Sequence, residues 1–135
     1  VDIRKLYFLL FLPVTVCAGT IDSIPKVLYF NDNFETREIQ QASYYGIVER
    51  TEKKQYEATI YTPQKLKVAT VAYSGKERLL REGLAVGFHR NGTTQFIANF
   101  TKNNLNGSWV SYYENGTICD SGLILKNAPD GKWFS

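Results

Sequence analysis

Gly83-Leu-Ala-Val-Gly-Phe88-His-Arg-Asn91-Gly92-Thr93 superposes without a gap on Gly107-Ser-Trp109-Val-Ser-Tyr112-Tyr113-Glu-Asn115-Gly116-Thr117. Gly131-Lys-Trp133-Phe134-Ser135 opens a third copy, again 24 residues later. A fixed period means stacked copies of one unit rather than a single irregular core. Each copy carries Asn-Gly, a pair that tolerates the positive φ angles of a type I′ turn, between β-branched and aromatic residues, so each reads as a β-hairpin. The expected strands are 84–90, 93–101, 108–114 and 117–125. The links Lys102–Gly107 and Lys126–Gly131 are rich in turn residues and read as returns between hairpins. The fold class that follows is all-β, an antiparallel meander of repeated hairpins in a single extended sheet.

An earlier, degenerate copy ends at Ile60-Tyr61-Thr-Pro63-Gln64-Lys65-Leu66, with Pro63-Gln64 in the Asn-Gly position. Its spacing to the next unit is longer by about three residues, absorbed in Ser74–Arg78. Upstream, Val27–Phe30, Ala42–Val48, Gln55–Tyr61 and Lys65–Tyr73 are strand-like, Thr51–Lys54 is a hairpin tip, and Glu35–Gln41 is placed in one helical turn. The chain divides into a signal segment at 1–18, an N-terminal β region at 19–82 and the repeats at 83–135.

Composition agrees. The chain has 135 residues, one domain's worth, and its nine Tyr, eight Phe, two Trp and absent Met favour strands over helices. A net charge of +3, with both signs interspersed, provides no basic stripe for phosphates and argues against nucleic acid as a partner. Val1 in place of an initiator Met, and a stop inside a strand-like pattern at Trp133-Phe134-Ser135, point to an unusual start codon or a fragment. Further repeats after Ser135 are left open, and an unpaired last strand would be an edge for self-association.

The entry segment reads as an address. Val1–Lys5 carries two basic residues, Leu6–Val16 is apolar, and Val16 and Ala18 are small residues that suit a signal peptidase. Eleven apolar residues fall short of the roughly twenty a membrane span requires. A buried first strand is the structural alternative. Cys17 after an apolar run raises lipidation as a competing reading, although Val14-Thr15-Val16 lacks the small residue expected immediately before such a cysteine. The expected location is exported: periplasmic, outer-membrane-associated or extracellular, with membrane attachment only through Cys17. Cys119 is then the single cysteine of the mature chain, and no internal disulfide is expected.

No catalytic constellation emerges. His89 is the only histidine, and three strand spacings of about 4.8 Å separate it from Cys119, roughly 14 Å, too far for a dyad. It reads as a polar turn neighbour standing where the next unit has Tyr. Glu114, Asp120 and Asp130 are scattered, the glycines are isolated at the repeat period, and neither a metal nor a cofactor is expected. Asn91, Asn99, Asn106 and Asn115 head Asn-x-Ser/Thr triplets, read here as turn chemistry.

A two-residue turn would place Tyr113 opposite Ile118, Tyr112 opposite Cys119, Val110 opposite Ser121 and Val86 opposite Ile97. One face then collects Val86, Phe88, Ile97, Val110, Tyr112, Cys119, Leu123 and Phe134. The other collects Phe96, Phe100, Trp109, Tyr113, Ile118, Ile124 and Trp133. Both are partly apolar, so these aromatics either pack across strands or form a stripe that binds a partner.

The unit Gly107-Ser-Trp109-Val-Ser-Tyr112-Tyr113-Glu-Asn115-Gly116-Thr-Ile is similar to the MORN-variant repeat of bacterial YwqK-type antitoxin-like proteins, whose pattern is Gly-x-Trp-x-x-Tyr-Tyr-x-Asn-Gly-x-Leu. The resemblance covers about 27–135. It departs in the Gly83 unit, where Ala85 replaces Trp and His89 replaces the second Tyr. It implies a sheet of repeated hairpins and a non-enzymatic interaction role. The expected function is that of an exported module binding a protein or envelope component, with Trp109, Tyr112, Tyr113 and Trp133 as contact residues. The alternatives are an immunity protein that neutralises a partner toxin and, more remotely, a small envelope hydrolase that would have to use His89.

Overall fold

The structure is a computed structural model that describes residues 26–52, 55–75 and 79–135. The expected signal segment and Cys17 lie outside the described residues. Ten strands form one antiparallel sheet: β1 (Lys26–Phe30), β2 (Tyr44–Arg50), β3 (Tyr56–Tyr61), β4 (Lys67–Ser74), β5 (Leu80–Phe88), β6 (Thr94–Thr101), β7 (Asn104–Leu105), β8 (Gly107–Tyr112), β9 (Ile118–Leu125) and β10 (Ala128–Phe134). Strands next to one another in sequence pair, except that β7 and β8 both pair with β6, lying successively along it. The meander expected from the repeat is the observed topology. The helical turn placed at Glu35–Gln41 is a single 3₁₀ turn at Ile39–Gln41.

The repeat recurs in the backbone. His89 and Tyr113 open equivalent turns, in which the N–H of Gly92 donates to His89 O and that of Gly116 to Tyr113 O, both at 2.9 Å. Only the glycines have positive φ, +86° and +85°. These are three-residue loops, a type I turn followed by a glycine bulge, and not the two-residue type I′ turns expected at Asn-Gly. In these two copies the following threonine supports the loop. Asn91 Oδ1 accepts hydrogen bonds from Thr93 N and Oγ1 (3.0 and 2.6 Å), and Asn115 Oδ1 from Thr117 N and Oγ1 (3.0 and 2.7 Å). Captured in this Asx turn, the asparagine keeps negative φ. In the degenerate unit the N–H of Lys65 donates to Thr62 O, and Lys65 has φ +66°. The Asn-Gly position there is Gln64-Lys65, one residue later than expected.

The type I′ turns lie in the links instead. Lys102 and Asn103 (φ 47° and 69°) join Thr101 to its partner Asn104, and Lys126 and Asn127 (φ 48° and 68°) join Leu125 to Ala128. Asparagine is the non-glycine residue best suited to left-handed backbone, and here it has a second task. Asn103 N donates to Arg81 O (3.0 Å) while Asn103 Oδ1 accepts from Arg81 N (3.3 Å). One unit on, Asn127 N donates to Leu105 O (2.9 Å) and Asn127 Oδ1 accepts from Leu105 N (2.8 Å). Likewise Glu82 Oε2 accepts from Lys102 N (2.6 Å), and Asn106 Oδ1 from Lys126 N (3.3 Å). Each return turn is thus tied to the unit before it.

The longer loop shifts the register near each tip. Val86 pairs with Ile97 and Val110 with Ser121, as expected, but Phe88 pairs with Thr94 and Tyr112 with Ile118. Gln95 and Cys119, 24 residues apart, are the bulged extra residues. Ile118 therefore joins Tyr112 rather than Tyr113. Gly83, Gly107 and Gly131, all at positive φ, lie where the strand carrying them has two residues more than its partner. Such bulges increase local twist and bend a sheet.

The bend puts the core on one face. Phe30, Val48, Ala58, Ile60, Ala69, Val71, Tyr73 and Ala85 are fully buried there, and Phe100 is nearly so. On a flat sheet Phe30 in β1 and Tyr73 in β4 would stand three spacings, about 14 Å, apart. Their ring centroids are 5.8 Å apart, so the sheet curls and this face is concave. Residues 31–35 cross over it as a strap: Tyr73 Oη donates to Phe34 O (2.6 Å) and Arg81 Nη1 to Asn33 O (2.7 Å).

Candidate interaction surface

Beyond β5 the concave face is no longer filled by the N-terminal half, and its aromatics lie flat on the sheet. The pairings put Gly46, Gly87 and Gly122 on this face, each beneath an aromatic ring from a neighbouring strand: Phe30, Phe96 and Trp133 respectively. A Cβ on Gly46 would come within 2.7 Å of Phe30 and one on Gly122 within 2.5 Å of Trp133; at Gly87 the approach to Phe96 is closer still. Trp109 stacks on Phe96, with centroids 5.2 Å apart and planes 9° from parallel. Absence of a side chain on the glycine lets each ring lie down.

Between the strap and this aromatic floor is a cleft of about 270 Å³. Phe96, Phe100 and Trp109 form its floor, Arg81 and Leu105 its side, and Asp32, Asn33 and Phe34 its rim. Arg81 is the keystone. Its Cζ lies 4.5 Å from the Phe100 ring centroid, and its Nε donates to Asn103 Oδ1 (2.9 Å). Nη2 donates to Asn103 O (2.8 Å) and Glu35 Oε1 (3.4 Å), so all three nitrogens are engaged. Burial lowers the affinity of Arg81 for its proton and the Glu35 carboxylate opposes that shift. The hydrogen bond from Asn31 holds the Glu35 carboxyl below its ordinary range, helped by the charges of Arg81 and Arg37. Burial drives the Tyr73 hydroxyl far up, keeping it a neutral donor to the strap.

The four expected contact residues do not share one surface. Trp109 and Trp133 lie on the concave face on either side of Gly122. Tyr112 is on the outer face opposite Ile118. Tyr113 is at a hairpin tip, 55% exposed, and its hydrogen bond with Cys119 raises its hydroxyl pKa, with the Cys119 charge adding to the shift. Phe96 and Phe100 stand on the same face as Trp109, as the alternation in the sequence places them, whereas Arg81 and Asp32 are not sequence candidates. Arg81 and Asp32 carry no local signal, because 48 residues separate Arg81 from the Asn33 it holds.

His89 Nε2 donates to Tyr112 O at 2.8 Å. A carbonyl only accepts, so this nitrogen carries a proton. Asn91 Nδ2 and Thr93 Oγ1 reach Glu114 O (3.4 and 3.3 Å), stacking one hairpin tip on the next. Among the described residues no three His, Cys, Asp or Glu side chains gather in a way that could hold a metal ion, and no helix is long and apolar enough to cross a membrane. The outer face carries exposed Leu84, Leu123 and Phe134. Compared with known protein families, curated proteins and solved structures, the chain finds no match in any of the three.

Proposed function

We propose that this chain is an exported, non-enzymatic repeat protein of the MORN-variant kind whose concave face holds another protein or an envelope component. The observation that carries the reading is the row of flat rings on one face, Phe96 on Gly87 with Trp109 stacked on it, and Trp133 on Gly122. A sheet that needed these rings only for stability would close over them, as it does over Phe30 and Tyr73. Here Phe96 and Trp109 border an open cleft. Broad aromatic faces at low conformational cost are the usual energetic centres of recognition surfaces.

Affinity capture with the full chain and its Trp109→Ala variant tests the reading. Loss of a captured partner, with the β-sheet circular dichroism unchanged, is the expected result. Capture that survives the substitution, or a variant that loses its fold, removes Trp109 from the role proposed.

A further inference from the structure

We infer that the concave cleft binds an arginine or lysine side chain projecting from an extended protein segment. The inference rests on the interaction reading above and adds the chemistry of the partner. Three observations carry it.

The first is charge. Across β5–β10 the register places only two charged strand side chains on the concave face, Arg81 and Asp120. Arg81 is fully committed to Asn33, Asn103, Glu35 and the Phe100 ring, with Arg37 holding Glu35 from outside at 2.6 Å. Asp120 is bonded only by the Ser111 hydroxyl and the backbone pairing. On the rim, the Asp32 carboxylate is exposed and makes no hydrogen bond or ion pair with any described residue. The rim of the cleft therefore carries one carboxylate without a cationic partner, Asp32, and a second, Asp120, lies farther along the same face beyond the cleft lining. An acidic ligand would be repelled, and a purely apolar one would strip water from Asp32 without return.

The second is the floor itself. Aromatic faces attract cations, most strongly for tryptophan, and the Phe96–Trp109 pair lines the open part of the cleft. The third is a precedent within the chain. The same cleft already seats one guanidinium over the Phe100 ring, and Lys67 Nζ lies 4.4 Å from the Phe88 centroid on the outer face. A guanidinium on Trp109 repeats an arrangement the sheet already makes.

The test titrates the full chain with an acetylated, amidated octapeptide, Gly-Ser-Arg-Gly-Ser-Arg-Gly-Ser, and with its citrulline counterpart, which keeps the shape and removes the charge. Tryptophan fluorescence and indole and amide chemical shifts are followed. The expected result is binding about tenfold tighter for the arginine peptide at low salt, weakening as ionic strength rises, with shifts at Trp109, Phe96 and Phe100. Asp32→Asn and Trp109→Leu should each weaken it about fivefold, whereas Asp130→Asn on the outer face should not. Should Trp109→Leu fail to fold, Asp32→Asn decides, since that side chain supports nothing in the fold.

Equal affinity for the two peptides, shifts centred on Leu123 and Phe134, or displacement of the arginine peptide by chitotetraose would each overturn the inference. Partner capture that depends on Trp109 but ignores both Asp32→Asn and competing arginine peptide would end the inference and leave the interaction reading standing. Absence of any Trp109-dependent capture would end the reading itself.

Discussion

The Phe96 ring lies across Gly87 on the adjacent strand, where no side chain lifts it from the sheet. Trp109 stacks on the same ring, so a glycine on β5 bears on the position of a tryptophan on β8. The same relation between Gly122 and Trp133 makes this a property of the repeat, and it ties packing directly to the surface proposed for recognition.

Gly87→Ala should therefore act through the ring. Its Cβ overlaps Phe96, and expelling the ring should cost about 1–3 kcal/mol and shift Trp109 fluorescence. Gly92→Ala is the comparison, because nothing lies within 4 Å of a Cβ there but φ is +86°. It should cost about 1–2 kcal/mol through backbone strain with the tryptophan signal unchanged. Urea denaturation with emission spectra separates the two.

Asn103 combines left-handed backbone with a side chain that binds both Arg81 N and Arg81 Nε. Asn103→Gly keeps the backbone free and removes those bonds, so it should destabilise by about 1–2 kcal/mol. The exposed Asn127→Gly should lose only about 0.5 kcal/mol, because water replaces what is removed. Equal losses in paired urea titrations would contradict this ordering.

The strap should respond to acid through Glu35. Its folded carboxyl titrates below the ordinary value of 4.5, because Asn31 and the two arginines favour the carboxylate. A depressed folded pKa gives stability that is complete above the unfolded value and is lost as pH falls through the folded one. The stability gap between the wild type and Glu35→Gln should thus be constant near neutrality and close at pH below about 4. A gap that widened on acidification would reverse the sign assigned here.

Trp133 Nε1 is buried with no partner among the described residues. Trp133→Phe keeps a flat ring over Gly122 and removes that unsatisfied donor, so stability should change by no more than about 1 kcal/mol. Thermal unfolding of the variant provides the check. A large loss would mean that the indole ring's extra area, not its N–H, governs the site.

The amino-acid sequence by itself determined the all-β class, the meander and the unit boundaries, because hairpins are local and the 24-residue echo of Gly83 at Gly107 and Gly131 marks each return. It also settled the pairing in mid-strand, at Val86–Ile97 and Val110–Ser121, where alternation permits no slip. Only the structure decided the turn type, since Asn91-Gly92 is compatible with both a two-residue and a three-residue loop and the backbone bond from Gly92 N to His89 O selects the longer one. The cleft likewise depends on the sheet's curl, which brings the strap at Asn33 onto Arg81. Curvature accumulates from small bends at many bulges, and no single stretch of sequence records their sum.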